Sequence, residues 1–376
     1  MGDAAGEHGA FESRRITSVD LTKGFALVCV LIDHVEGINR VAFLSRLTIQ
    51  GWMFCDASEV FVFLSGVTNA ISNSRRLQEH TITQCFLHTL RKSLQVYLWY
   101  LLCLSFSLLI AWSFQAWNPQ LESRFRLHLP WHDHLLAGIL FANHPYGCAI
   151  FPLFAMLLPF GMVVSLSLQR FGASRTFVSS LLLYVLSQFI TDLSLHSMIP
   201  GRARYFNPFS WQFLFVLGMV AWHGRKRLRQ RLELNQGHGK VILFVSVITF
   251  TFNAIVNQTD WLPVLGHEIP NSLQSKTTLG VLRIGSVLTL MYFARWFACS
   301  CQKRFGPSWY GFFVAIGRSP IQFYCWSVIW AVVSMTITGN IELTSFDIVV
   351  LDVSSVSAAF MFAFFLQLHF KRLLVA

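Results

Sequence analysis

Long apolar runs, separated by short polar or basic joints, make up most of this chain. About 20 apolar residues carry a helix across a bilayer. On that measure the runs predict membrane-spanning helices near 17–38, 57–73, 90–113, 149–169, 176–193, 209–223, 241–257, 279–298, 311–337 and 347–369. The segments at 57–73 and 209–223 are short, so they either extend into their flanks or sit where protein rather than lipid surrounds them. Trp131–Phe141 is too short to span and predicts an interfacial or re-entrant helix. No soluble domain, repeat or low-complexity linker interrupts the series. The pattern therefore predicts an all-α polytopic membrane protein with about ten transmembrane helices. A tail at 1–16, one transmembrane unit over 17–370 and a tail at 371–376 complete the organisation.

Composition excludes the alternatives. Of 376 residues, 54% are hydrophobic and 12% charged, against about 25% charged in a typical soluble domain. Too few polar side chains remain to cover a water-soluble surface. Disorder, coiled coil and a disulfide scaffold are excluded by the same figures. A net charge of +11 would suggest nucleic acid in a soluble chain, but its placement gives another reason. With the N-terminus inside, most Lys and Arg fall in cytoplasmic joints, including GRKRLRQR (224–231) and Lys371-Arg372. That bias favours both termini inside and removes nucleic acid as a partner. Eight scattered cysteines carry no zinc-like spacing. Residues 1–13 are polar and the run after Arg14-Arg15 lacks a small-residue cleavage site, so the first span is expected to be retained.

Ionisable groups inside spans are costly and mark function or buried pairing. The first span holds Asp20, Lys23, Asp33 and His34. At about 100° per residue, the eleven-residue step from Lys23 to His34 closes to about 20° of whole turns, so both share one face about 16 Å apart along the axis. Such a stripe suits a passage with a cation low down and a general base higher up; the plainer reading pairs Asp20 with Lys23 and leaves His34 capping a helix. Asp56 and Glu59 sit one turn apart on the outer side, at the level of His34. They either orient its imidazole or cap the second helix. Asn207, Trp211 and Gln212 open another span and suit sugar binding or an interfacial belt. Arg318, at the Gly317–Pro320 break, and Arg283 suit an anionic acyl or phosphate group or a buried ion pair. In His128-Leu-Pro-Trp-His132-Asp133-His134 the histidines diverge on a helix, so no metal site is expected.

Five segments together resemble a known family: Asp20-Leu-Thr-Lys-Gly24 leading to Ile32-Asp33-His34, DASEVFVFLSG (56–66), YFNPFSWQFLFVLG (205–218), KTTLGVLR (276–283) and GRSPIQFYCW (317–326). In this order, over nearly the whole chain, they are similar to the OpgC-type membrane O-succinyltransferases of osmoregulated periplasmic glucans, within the wider transmembrane acyltransferase superfamily. The resemblance implies a multi-pass protein of the bacterial inner membrane, with no permanently bound cofactor and with acyl-CoA, most simply succinyl-CoA, as co-substrate. His34 would be the catalytic base, supported by Asp33, Asp56 and Glu59. Lys23, Arg283 and Arg318 would face the acyl-CoA, and Asn207, Trp211 and Gln212 the periplasmic glucan acceptor. The family commonly reads Arg-Gly where this chain has Lys23-Gly24. Lysine keeps the charge and loses the bidentate fork. Apart from lipid, acyl-CoA and glucan, no partner follows from the sequence, nor does an oligomeric state. The alternative reading is a transporter or exporter of a glycan or small anion, which the intramembrane charges would also serve.

Overall fold

A computed structural model describes residues 4–143, 145–190, 206–225, 271–304, 307–339 and 343–375, with Phe244, Val247, Ile248, Thr251 and Ile341 as isolated positions. The expected span at 241–257 lies outside these stretches apart from four helical positions. The basic run beyond Arg225 and Tyr205 also lie outside them. The described architecture is all-helical. Its elements are α1 (Ala4–Asn39), α2 (Ile49–Trp52), α3 (Ala57–Glu79), α4 (Ile82–Phe114), α5 (Pro119–Phe125), α6 (Trp131–Ile139) and α7 (Ile150–Phe189), followed by α8 (Pro208–His223), α9 (Asn271–Gln274), α10 (Val281–Arg304), α11 (Pro307–Arg318), α12 (Pro320–Thr338) and α13 (Ser345–Val375).

Among the described residues, four helices are long and apolar enough to cross a membrane: α4, α7, α12 and the Phe346–Phe365 part of α13. Helix α1 fails that measure because of its charges, and α8 because it has only 16 residues. Their packing supplies the reason. α1 lies against α3, α11, α12 and α13, and α8 is walled by α3 and α7. A helix buried on nearly every side needs neither a lipid-facing stripe nor the full thickness of a bilayer. Of the two short predicted spans, the one at 57–73 extends to Glu79 and the one at 209–223 is enclosed by protein.

Local chemistry sets the boundaries. Asp56 caps α3 through the Ser58 amide (2.8 Å), and Glu59 reaches back to the Asp56 amide (2.9 Å), completing a capping box. Asn118 with Pro119 and Asn207 with Pro208 start α5 and α8 in the same manner. The spans expected at 149–169 and 176–193 form one helical stretch, α7, broken at Gly172 (φ 81, ψ 171). Ser167 and Thr176 join hydroxyls at 2.9 Å across that break; on an unbroken helix nine residues would separate them by about 13 Å. The chain therefore folds back there. At the other expected break, Ser319 divides 311–337 into α11 and α12, with Pro320 opening the second.

Glycines let the central helices touch backbone to backbone. A Cβ added at Gly66 on α3 would fall onto the Phe215 carbonyl oxygen of α8, and one at Gly218 on α8 onto the Phe63 carbonyl oxygen of α3. Gly24 of α1 and Gly317 of α11 are paired likewise, against Phe313 and Asp20. Small residues at helix contacts of this kind are the means by which helices associate in lipid, where burial supplies no drive. In an exposed helix, Gly→Ala stabilises by about 1 kcal/mol. Gly285 of α10, with open space around its Cβ position, should follow that rule. Gly66→Ala should do the reverse and destabilise by about 1–3 kcal/mol through overpacking. Thermal unfolding in detergent checks both; equal shifts would argue against the α3–α8 contact.

Candidate active site

The stripe on α1 is present, and the packing assigns its members to two levels. At the lower level Lys23 is buried and donates to the Thr68 hydroxyl of α3 at 3.0 Å. Asp20 pairs with Arg318 at 3.6 Å, across the α1–α11 glycine contact. Of the two expected uses of Arg318, the structure thus shows an ion pair. Its side chain is half exposed, which leaves donors open at the same level as Lys23.

At the second level, toward its C-terminal end, α1 organises the loop that follows it. Glu36, fully buried, accepts the backbone amides of Phe43, Leu44 (2.6 Å) and Ser45 (2.8 Å) and so folds residues 43–45 back over the helix end. That fold delivers Thr48 and Gln50 to the Asp33 carboxylate, at 2.7 and 2.8 Å. Beside Asp33, His34 is half-buried, and its Nδ1 is sealed without a hydrogen-bond partner among the described residues. Tyr146 and Tyr324 meet it edge-on, with ring centroids 5.6 and 5.4 Å away.

Next to this lies a four-charge cluster. Lys276 Nζ is 2.5 Å from Asp56, and Arg283 is 2.5 Å from Glu59 and 4.0 Å from Asp56. The segment carrying Lys276 is tied down along its length. Trp211 Nε1 donates to the Lys276 carbonyl (2.9 Å), the Asn207 amide to Thr277 (2.9 Å), Gln188 to Thr278 (2.9 Å) and Tyr184 to Leu279 (2.9 Å). Asp56 and Lys276 lie within electrostatic reach of both His34 and Asp33. Burial alone would raise the Asp56 carboxyl, but the Lys276 ammonium holds it far below the usual carboxylate range. Burial alone would lower Lys276, but Asp56 and Glu59 together raise it above an ordinary lysine. A depressed acid contributes stability that is lost only as pH falls, and a raised base contributes stability lost only as pH rises. The pair is therefore intact throughout the neutral range.

Several expectations need correction on this geometry. Asp56 and Glu59 hydrogen-bond to the α3 cap and to Lys276 and Arg283, not to the imidazole; two cations take the carboxylates first. Arg283 sits with the Asp56–Glu59 cluster and donates to Glu59 and the Gln274 carbonyl (2.7 Å), so it does not join Lys23. Trp211 is fully buried and its only donor is taken. Gln212 donates to the Ser180 and Phe209 carbonyls and accepts from Ser180. Neither is open to a sugar. Asn207 caps α8 with its side-chain oxygen, while its Nδ2 is buried without a partner among the described residues. The stretch 131–141 does form a short helix, α6. In it His134 bridges the Arg126 carbonyl (3.1 Å) and Asn143 (3.2 Å).

Lys276, Tyr146, Gly147 and Tyr324 were not singled out from the sequence. Lys276 reads there as one more topology charge, and nothing in the spacing of the two tyrosines marks them as neighbours of a histidine.

The motifs that meet at this cluster belong to one pattern. The chain matches the family model described as OpgC protein over residues 15–370. It belongs to the OpgC family. No curated protein and no solved structure matches it. OpgC membership makes it a membrane protein with acyltransferase activity on a glucan, in the general sense. The family reading also makes sense of the contacts above: DASEVFVFLSG and KTTLGVLR meet in the Asp56–Lys276 and Glu59–Arg283 pairs, and the glycines of DASEVFVFLSG and YFNPFSWQFLFVLG face each other.

Proposed function

We propose that this OpgC-family protein transfers an acyl group, succinyl, from acyl-CoA on the cytoplasmic side of the bacterial inner membrane to a hydroxyl of a periplasmic glucan. His34 acts as general base. In this reading about ten helices span the bilayer with both termini inside. The observation that carries it is the single face of α1 with buried Lys23 at one level and half-buried His34 about 16 Å away along the axis.

A sugar hydroxyl is a weak nucleophile. As its oxygen attacks the thioester carbonyl, the imidazole takes the hydroxyl proton; the tetrahedral intermediate then expels CoA thiolate, which recovers that proton from the imidazolium. An ester and free CoA result, with no net proton released. A second feature supports a phosphorylated donor at the Lys23 level. Arg76, Arg91 and Lys92 act electrostatically on His88, and Lys92 acts on Lys23. Such a group of cations suits the phosphates of CoA.

The test uses inside-out membrane vesicles loaded with glucan and given labelled succinyl-CoA outside. An alkali-labile glucan ester formed inside is the expected result. Movement of glucan across the membrane without any ester would instead favour the transporter reading.

A further inference from the structure

Among the described residues, His34 lacks the usual orienting partner of a catalytic histidine. A general-base imidazole commonly donates its second nitrogen to a carboxylate or carbonyl, which fixes tautomer and ring angle. Here Nδ1 is buried without a hydrogen-bond partner, and the nearby carboxylates Asp33, Asp56 and Glu59 are engaged elsewhere. Something else must hold the ring.

We infer that His34 is held by an aromatic clamp, with Tyr324 as its positioning residue. The two tyrosines approach at steep angles, 68° for Tyr146 and 84° for Tyr324. Edge-to-face packing of this kind is worth about 0.5–1.5 kcal/mol per pair beyond the buried area. Gly147 closes the third side. Its φ of +80° admits glycine readily, and a Cβ there would lie 2.7 Å from Val328 and 3.2 Å from the His34 ring. Tyr324 governs that wall too, because its hydroxyl donates to the Gly147 carbonyl at 2.7 Å. Tyr146 hydroxyl donates to the Asp33 carbonyl at 3.3 Å, tying the same loop to α1. One side chain on α12 thus touches the imidazole with its ring and fixes the opposing loop with its hydroxyl.

The catalytic part of this inference rests on His34 being the base; the clamp itself does not. Two readouts separate them. In the acyl-transfer assay, Tyr324→Phe keeps the ring and frees Gly147, and kcat should fall about tenfold. Tyr324→Leu also removes the ring, and kcat should fall about 100-fold, the order expected for a misplacement near 1 Å. KM for donor and acceptor should stay within about twofold in both, since neither substrate loses a contact. Independently of activity, carbethoxylation of His34 by diethyl pyrocarbonate, followed by mass spectrometry of the His34 peptide, should be faster in Tyr324→Leu than in wild type. Should Tyr324→Leu fail to fold, Tyr146→Leu gives the same readouts by removing the other ring. An unchanged modification rate in a folded variant that lacks either ring overturns the clamp. Wild-type kcat in both Tyr324 variants, with His34→Ala inactive, overturns the positioning role. Full activity in His34→Ala overturns the base assignment alone, and the modification rate still decides the clamp.

Discussion

Replacing His34 by alanine should lower kcat for acyl transfer by about 10²–10⁴-fold, the range over which a positioned base assists proton removal. His34→Gln should lose as much. Glutamine preserves polarity and some of the bulk between Tyr146 and Tyr324, yet it cannot accept a proton at neutral pH. The two variants together distinguish lost chemistry from lost packing. Because the His34 Nδ1 makes no hydrogen bond among the described residues, neither substitution strands a partner there. The loss of stability in detergent should therefore stay near that of the two edge-to-face contacts, about 1–3 kcal/mol. Free imidazole added to His34→Ala should restore part of the rate by occupying the vacated space. A fully active His34→Gln enzyme would remove the base from the mechanism.

The largest effect on stability is expected at Arg283. Glu59 has no exposed surface, and its side chain is divided between Arg283 and the Asp56 amide. Arg283→Met leaves that carboxylate buried and unpaired, which costs about 3–5 kcal/mol when a buried pair is broken from one side. Adding Glu59→Gln should recover most of the loss, since a neutral amide oxygen still accepts the Asp56 amide and no stranded charge remains. Non-additivity of that size in a double-mutant cycle is the signature to look for. Lys276 makes the contrast. Its side chain is 47% exposed, so Lys276→Met should cost only about 0–1 kcal/mol, as for other solvent-screened pairs. Unfolding in detergent ranks the three variants; equal losses at Arg283 and Lys276 would contradict the difference in burial.

What the sequence made legible follows from the kind of information each feature needs. α4, α7, α10 and α13 were expected within a few residues to a turn or two, because an apolar run bounded by basic residues is a local property. The cap at Asp56 was legible, for the same reason, as one of two readings. So was the polar face of α1, which needs only the helical repeat. Choosing between two readings of one residue was a different matter. Whether Asp56 and Glu59 orient an imidazole or pair with cations depends on where Lys276 and Arg283 arrive, more than 200 positions later in the chain. Sequence adjacency carries no trace of that meeting. Tyr324 lay inside a recognised motif, but its role arises from a loop around Gly147 that the apolar pattern treats as a joint. α5 went unpredicted because seven residues opened by Asn118-Pro119 read equally well as a turn.

The continuity of α1 has one more consequence. Between Lys23 and His34 the helix is unbroken, and those residues are gripped by different neighbours, Thr68 on one side and the two tyrosines on the other. The helix is then a ruler fixed at both marks. On the proposed reading, a donor anchored at the Lys23 level reaches the imidazole only if its flexible arm matches a span of about 16 Å. Thioesters on truncated arms would fall short whatever acyl group they carry, so the length of the carrier, and not only the chemistry of the cargo, decides what is transferred.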